Sequence, residues 1–193
     1  MSPALEPLFH FAAFPTLETE RLRLREITPG DAPAIFAIRG DYAVTRLNIG
    51  PAYRFMSEAE RLIAAIAEAY RNQTELRWGI TCKPDDTVIG MCGFNYWDRH
   101  DRRASVGFDL ARAYWRQGIM REALQVVLHF GFVQMGLNRI EADCSAENVA
   151  SAGLLQACGF VQEGRQREQY YEDEAYYDLL LFGLLRREWE AQR

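Results

Sequence analysis

A short stretch in the middle of the 193-residue chain combines a glycine and two arginines in an order suited to binding phosphate. It runs from Tyr114 to Leu124 and reads Tyr-Trp-Arg-Gln-Gly-Ile-Met-Arg-Glu-Ala-Leu. Gly118 permits a tight turn, so the first N–H groups of the helix predicted after it point into one concavity, where the helix dipole adds positive charge. Because Arg116 and Arg121 flank this turn, we predict a site for a phosphate or pyrophosphate. A loop-ending glycine with two solvated arginines is the simpler alternative.

The distribution of charge along the chain favours an anionic ligand in this region. The whole chain has a formal net charge of -5 at pH 7, which argues against a general nucleic-acid-binding protein. Between residues 99 and 121, however, six arginines stand against two acids. This part of the chain is therefore locally basic within an acidic protein.

Two carboxylates further along the chain are candidates for proton transfer. Polar and apolar residues alternate along the segment 139–145, as they do in a strand. This alternation places Glu141, Asp143 and Ser145 on one face. On an edge strand this would be an ordinary solvated face. In a central strand, two carboxylates on an inner face would indicate a function.

Aromatic and acidic side chains form a third group of candidates. They are Tyr96, Trp97, Tyr170, Tyr171, Glu172 and Asp173. Such residues predict a pocket for a cationic amine and a preference for peptides with basic residues. A solvated loop is the plainer interpretation of the segment 170–177.

Hydrophobic periodicity predicts the elements that position these residues. Strands are expected at 20–27, 77–83, 88–96, 104–110, 139–145, 160–168 and 175–185. Helices are expected at 57–72, 118–135, 149–157 and 186–191, with a short one after the turn at 29–31. Residues 1–16 are predicted to form an irregular arm and residues 17–193 a single domain, because a chain of this length with 49% hydrophobic residues suffices for one core.

Four pieces of the sequence together resemble the GNAT acetyltransferases, particularly the branch that contains the ribosomal-protein N-terminal acetyltransferases. They are the segments 106–110 (Val-Gly-Phe-Asp-Leu), 114–120, 148–151 (Asn-Val-Ala-Ser) and 158–160 (Cys-Gly-Phe). The acyl-CoA loop of this family reads Gln/Arg-x-x-Gly-x-Gly/Ala, and this chain has Trp115, Gly118 and Met120 at those positions. Two of the three positions depart from the pattern, but the binding role belongs to backbone N–H groups. The resemblance extends from about Leu17 to Trp189.

The resemblance implies an α/β fold with a mixed, mostly antiparallel central sheet that is splayed in its middle and flanked by helices. It also implies acetyl-CoA as cosubstrate, without a metal. The residues implied to contact acetyl-CoA are Phe108, Asp109, Leu110, Arg116, Gln117, Gly118, Ile119, Met120, Arg121, Asn148 and Ser151. Gly107 is the expected position of the strand bulge that accompanies the splay in this family.

The same resemblance implies catalytic roles. Asp143 lies five residues before Asn148, where related N-terminal acetyltransferases carry a glutamate that acts as base through water, so Asp143 ranks ahead of Glu141 as general base. Ser151 is the candidate acid for the leaving thiolate, because Leu155 occupies the position at which many GNAT proteins have a tyrosine. Alternatively, Asn148 and Ser151 only cap the start of a helix.

The implied reaction is direct attack of a primary amine on the thioester, with a protein N-terminal α-amine favoured as acceptor. At pH 7, deprotonating an α-amino group costs roughly 1 kcal/mol, whereas deprotonating a lysine costs about 4.6 kcal/mol. Two alternatives remain open. The acceptor is a small-molecule amine or antibiotic, or the chain is a CoA-binding regulatory module that has lost catalysis.

The remaining features set outer bounds on the function. The four cysteines lie far apart without a Cys-x-x-Cys pair, and the three histidines show no metal-ligand spacing. No apolar window is long enough to span a membrane. We therefore expect a cytoplasmic enzyme, monomeric or homodimeric, that binds neither membranes nor nucleic acids.

Overall fold

The computed structural model describes residues 13–46, 48, 50–172 and 174–192. Its strands are β1 (Leu17–Glu18), β2 (Leu22–Arg25), β3 (Leu76–Cys82), β4 (Val88–Asp98), β5 (Arg103–Leu110), β6 (Arg139–Ser145), β7 (Val161–Glu172) and β8 (Ala175–Leu185). They form one sheet in the order β1-β2-β3-β4-β5-β6-β8-β7. Neighbouring strands are antiparallel except for β5 and β6. The predicted α/β class with a mixed, mostly antiparallel sheet is confirmed.

Helices cover both faces of this sheet. They are α1 (Ala32–Gly40), α2 (Tyr42–Thr45), α3 (Met56–Arg71), α4 (Ile119–Val133), α5 (Val149–Ala157) and α6 (Arg186–Ala191). The buried side chains of α1 and α3 form one apolar cluster and those of α4 another. Along β4, the neighbours Met91 and Cys92 belong to different clusters. Because successive strand residues point to opposite faces, α1 and α3 lie on one face of the sheet and α4 on the other.

The central sheet is splayed between β5 and β6. These two parallel strands pair only where Arg103–Ser105 lie beside Arg139–Glu141. Both strands continue well beyond that point, to Leu110 and Ser145 respectively. Their divergence opens a cleft and turns one edge of residues 106–110 toward it. The predicted splay in the middle of the sheet is confirmed.

The strand bulge is not at Gly107, where it was expected. Gly107 lies in register with Gly93 of β4, and the register shifts instead between Phe94 and Tyr96. The extra residue at that shift is Asn95, whose side chain lies over Gly107, so that a Cβ at this glycine would collide with the Asn95 amide. Glycine is needed at position 107 for this close approach rather than for a bulge.

The segment 170–177 forms a hairpin end, so its interpretation as a loop was wrong. β7 continues to Glu172 and β8 begins at Ala175, with Tyr170 opposite Tyr177 and Tyr171 opposite Tyr176. The ring centroids of these pairs are 5.4 Å and 4.9 Å apart, respectively. Cross-strand aromatic pairs stabilise a sheet, and here they outweigh the acidic composition that indicated a loop.

Candidate active site

A pocket of about 270 Å³ lies in the cleft between β5 and β6. Residues 106–109 of β5 form one wall. The facing wall consists of residues 143–145 of β6 together with Asn148 and Ser151 at the start of α5. Side chains from β3, β4 and α1 close the remaining side. This cleft pocket brings together the two segments that the sequence assigned to cofactor binding and to proton transfer.

Asp143 presents its carboxylate to the cleft pocket. The side chain is accessible to solvent from the pocket, yet the surrounding protein atoms desolvate it. This burial raises the pKa of the Asp143 carboxyl above its ordinary value, and no described cation offsets it. A general base works best when its pKa approaches the operating pH, so the environment of Asp143 suits proton transfer.

Glu141 lies on the same strand but in different surroundings. Its carboxylate is 2.7 Å from the Arg139 Nε and 3.8 Å from a terminal nitrogen of Arg103. It does not line the cleft pocket. Glu141 is thus paired with arginines outside the pocket, whereas Asp143 lines it, and the ranking of Asp143 ahead of Glu141 stays a prediction.

The start of α5 forms the mouth of the cleft pocket. Asn148 is the N-cap of this helix, and its side-chain oxygen accepts a hydrogen bond from the Ser151 N–H at 3.0 Å. The capping role of Asn148 is therefore confirmed. Because both residues also line the pocket, their predicted contacts with acetyl-CoA remain compatible with this cap.

The turn before α4 has the shape expected of an anion cradle. Gly118 directly precedes the helix with φ of 75°, and Arg116 has φ of 59°, both in the left-handed region. Since α4 begins at Ile119, its first N–H groups have no acceptor within the helix. The Trp115 indole N–H donates to the Leu110 carbonyl at 2.8 Å. This bond fastens the turn to the end of β5, next to the cleft.

An ion pair behind the turn fixes its position. Arg21 of the β1–β2 connection lies 2.6 Å from the Glu122 carboxylate and donates to the Gln117 carbonyl at 3.1 Å. Burial opposes ionisation of Glu122, but hydrogen bonds from Thr19 and Arg21 outweigh it and lower the pKa of this carboxyl. Glu122 is therefore neutralised by Arg21, which leaves Arg116 and Arg121 to set the charge of the turn.

Comparison with known proteins decides the family. The acetyltransferase (GNAT) domain matches residues 21–161 of this chain. The uncharacterized N-acetyltransferase p20 of Bacillus licheniformis is 38% identical over 175 residues, which cover 90% of this chain and 98% of that protein. This chain belongs to the GNAT acetyltransferase family.

Two further proteins to which this chain is similar are ribosomal-protein acetyltransferases. The ribosomal-protein-serine acetyltransferase of Escherichia coli (strain K12) is 30% identical over 99 residues, covering 51% of this chain and 55% of that enzyme. The structure of RimL, a ribosomal-protein α-N-acetyltransferase in complex with coenzyme A, matches with a TM-score of 0.81 at 19% identity. That match covers 89% of this chain and 98% of RimL, and at this identity it shows the shared fold.

A buried ion pair that the sequence did not indicate closes one side of the cleft pocket. Arg39 of α1 donates to both carboxylate oxygens of Asp109 at 3.1 Å, and the Asn48 amide donates to the same group at 2.8 Å. Burial opposes the charge on Arg39, but Asp109 outweighs it and raises the pKa of the guanidinium. The Asp109 side chain is thus held by this network, which leaves its backbone for the predicted contact with acetyl-CoA. No motif marks Arg39, because 70 residues separate it from its partner.

The predicted acceptor residues are divided between two hairpins. Tyr96 and Trp97 belong to the β4–β5 hairpin, and Tyr170, Tyr171 and Glu172 belong to the β7–β8 hairpin. None of these five lines the cleft pocket, and Asp173 lies outside the described residues. The described members of this group therefore lie on two hairpins and outside the lining of the cleft pocket.

Tyr170 is connected to the cleft pocket through a hydrogen bond. Its hydroxyl forms a hydrogen bond with Ser145, which lines the pocket, while burial raises the pKa of the phenol. Tyr96 directly follows Asn95, which also lines the pocket. A role in acceptor binding stays a prediction for each residue of this group.

Two further features of the described residues concern membranes and metal ions. No helix among them is both long and apolar enough to cross a membrane. They also contain no group of three or more His, Cys, Asp or Glu side chains placed to hold a metal ion.

Proposed function

We propose that this acetyltransferase moves an acetyl group from acetyl-CoA to a primary amine by direct attack, with a protein N-terminal α-amine as the favoured acceptor. The observation that carries this proposal is the arrangement of the cleft pocket. One wall holds the Asp143 carboxylate, and the other is the edge of β5 that has separated from β6. The first wall suits acceptance of a proton, and the second suits donation of N–H groups to a carbonyl oxygen.

Acetyl-CoA fits the residues that lead into this pocket. The turn at 116–121 offers N–H groups and two arginines to the pyrophosphate, and Phe108 to Leu110 provide the β5 backbone at the cleft. Asn148 and Ser151 lie at the mouth between them. When bound, acetyl-CoA supplies the acetyl group as an activated thioester. The chain itself orients the two reactants and handles the proton.

Asp143 receives the proton of the attacking amine, directly or through water. Its raised pKa brings the carboxylate closer to the pKa of an α-amine than an ordinary aspartate would be. A site with one modest base is better matched to the α-amine, whose deprotonation costs about 1 kcal/mol at pH 7, than to lysine. The similarity to ribosomal-protein acetyltransferases supports the same acceptor.

The thiols and hydroxyls near the pocket support direct attack. Burial raises the pKa of Cys144 to about 11, so this pocket thiol is rarely a thiolate at neutral pH and is a poor nucleophile. Leu155 is buried in the core and has no proton to give, which leaves Ser151 as our candidate acid for the departing thiolate. All four cysteines are free, as expected in a reducing compartment, and we place the reaction in the cytoplasm.

A panel of acceptors tests the proposal. We would follow release of CoA and locate the acetyl group by mass spectrometry, using peptides with a free N-terminus, N-blocked peptides with one lysine, and small amines. We expect acetylation of the α-amine and much slower reaction of lysine. Transfer to small amines alone would show that the acceptor is a small amine rather than a protein N-terminus. Binding of acetyl-CoA without any transfer would favour a regulatory module.

A further inference from the structure

Arg77 is a charged residue of the cleft pocket to which the proposed reaction gives no role. It lies on β3 between the buried residues Leu76 and Trp78, and its side chain reaches the pocket on the face covered by α1 and α3. The side chain is only 19% exposed. Its Nε is buried and has no hydrogen-bond partner among the described residues. The exposed part of this guanidinium is what a ligand in the pocket can contact, and an anionic group there would offset the cost of keeping the charge largely buried.

Asn95 holds the guanidinium of Arg77 in place. The bulge in β4 puts Asn95 beside Arg77, and its side-chain oxygen accepts a hydrogen bond from the Arg77 Nη2. Gly107 leaves room for the Asn95 amide, as described above. Glu75, the acid paired with Arg77 in the described residues, is 3.8 Å away and 30% exposed. That distance is too long for a hydrogen bond, so Glu75 neutralises the charge of Arg77 only in part.

The charges around the pocket leave two groups for a ligand. Four charged side chains line it, and two of them, Arg39 and Asp109, neutralise each other. The remaining two are Arg77 on β3 and Asp143 on β6. A fixed guanidinium binds a carboxylate, and the aspartate accepts a proton from an amine.

We propose that the acceptor carries a carboxylate as well as its primary amine, and that Arg77 is the specificity residue that binds this carboxylate. This inference rests on the proposed function, because it assigns the amine to Asp143. The strands β3 and β6 are separated by β4 and β5, and β6 diverges from β5 at the pocket, so the backbones of β3 and β6 lie at least about 14 Å apart there. The amine and the carboxylate of the acceptor are therefore several bonds apart. An acidic side chain at the second or third residue of a protein N-terminus meets this requirement, as does a small amino acid with a distal carboxylate.

The acceptor charge inferred here is opposite to the one expected from the acidic β7–β8 hairpin. The described acids of that hairpin do not line the cleft pocket, and Asp178 is bound by Arg165 at 2.5 Å. Arg77, in contrast, is part of the pocket wall. We therefore expect the pocket, rather than the hairpin, to decide whether acidic or basic acceptors are preferred.

The test compares peptides that begin with alanine and differ only in having glutamate, glutamine or lysine at position two or three. For the wild-type protein, we expect kcat/KM for the glutamate peptide to exceed that for the glutamine peptide by about ten-fold or more, since the added bond is between charged groups. In Arg77→Met, the ratio of the two should fall toward one. Arg71→Met, which removes an exposed arginine at the end of α3, should keep the wild-type ratio. A second pair, 4-aminobutyrate and its amide, distinguishes a small acceptor from a peptide.

A binding experiment separates failure of this inference from failure of the proposed function. Calorimetric titration of the CoA-saturated protein with the same peptides needs no turnover. Tighter binding of the glutamate peptide that is lost in Arg77→Met upholds the inference, even if no acetyl group is transferred. The inference is overturned if acetyl transfer occurs but kcat/KM and affinity are the same for the glutamate and glutamine peptides, and the same for 4-aminobutyrate and its amide. That result leaves the proposed function intact. Should Arg77→Met not fold, Asn95→Ala must lower the same ratio, because it releases the guanidinium from its position.

Discussion

Asp143 and Glu141 differ in what surrounds their carboxylates, although only one residue separates them on β6. Asp143 faces the cleft pocket, and burial raises its pKa. Glu141 is held by Arg139 and Arg103 away from the pocket. The structure therefore offers a matched pair of carboxylates for testing which one handles the proton.

At neutral pH, Asp143→Asn should lower the acetyl transfer rate by roughly 10²-fold, while Glu141→Gln should leave it almost unchanged. The wild-type rate should fall as the pH drops through the raised pKa of Asp143, because the protonated carboxyl cannot accept a proton. Above the pKa of the amine, the deficit of Asp143→Asn should shrink, since the acceptor is then already neutral. Steady-state rates from pH 5 to pH 10 check both trends. An equal deficit at every pH would instead assign Asp143 a structural role.

Among the elements, the turn before α4 owes its shape to a left-handed backbone at Gly118. The same conformation occurs at Gly136, with φ of 69°, after the end of α4 and away from the cleft pocket. An added Cβ meets only a terminal nitrogen of Arg21 at position 118 and no atom within 4 Å at position 136. Alanine at either position therefore acts mainly through backbone strain.

Both Gly118→Ala and Gly136→Ala should destabilise the protein by about 1–2 kcal/mol, because a left-handed backbone is unfavourable for alanine. Only Gly118→Ala should also weaken CoA binding, since it displaces the N–H groups of the cradle. For the wild type at one hundred times its dissociation constant, CoA should add roughly 2.7 kcal/mol of stability. Thermal unfolding with and without CoA measures this gain for each variant. A full gain in Gly118→Ala would argue against the cradle.

At the scale of the whole molecule, an ion pair at the junction between β2 and α1 contributes to the stability of the fold. Asp31 precedes α1, is only 8% exposed, and lies 2.8 Å from Arg25 of β2. Burial alone would raise the pKa of Asp31, but hydrogen bonds from Arg25 and Thr28 outweigh it and lower the pKa. A lowered pKa in the folded state means that this group stabilises the fold above its unfolded pKa of about 3.9. That contribution is lost as the pH falls through the folded pKa.

Asp31→Asn should therefore reduce the free energy of unfolding at pH 7 by about 3 kcal/mol. This value is near the lower end of the range for breaking a buried ion pair, because Arg25 keeps Asp86 as a partner. The difference from the wild type should narrow as the pH drops below about 4. Glu18→Gln, which breaks an exposed pair with Lys83, is the control and should have a much smaller effect. Urea unfolding at several pH values provides the comparison. A deficit that does not depend on pH would indicate lost packing rather than lost charge.

The sequence by itself determined the features that depend on neighbouring residues. Leucine and arginine alternate within the strand expected at 20–27, and β2 lies there with Leu22 and Leu24 buried. The glycine between two arginines predicted a tight turn at the start of α4. Helix and strand periodicity located most of the other elements within a few residues. These predictions succeeded because turn chemistry and the periodicity of side chains act over a few positions of the chain.

Only the tertiary structure decided the composition of the cleft pocket. The position of the bulge at Asn95 follows from how β4 and β5 align, and a glycine in either strand does not reveal that register. The hairpin at 170–177 depends on tyrosine pairs that face each other across two strands. Arg39 and Arg77 reach the pocket from α1 and β3, 104 and 66 positions before Asp143 in the chain. Strand order and register bring such distant residues together, and no local pattern in the sequence encodes them.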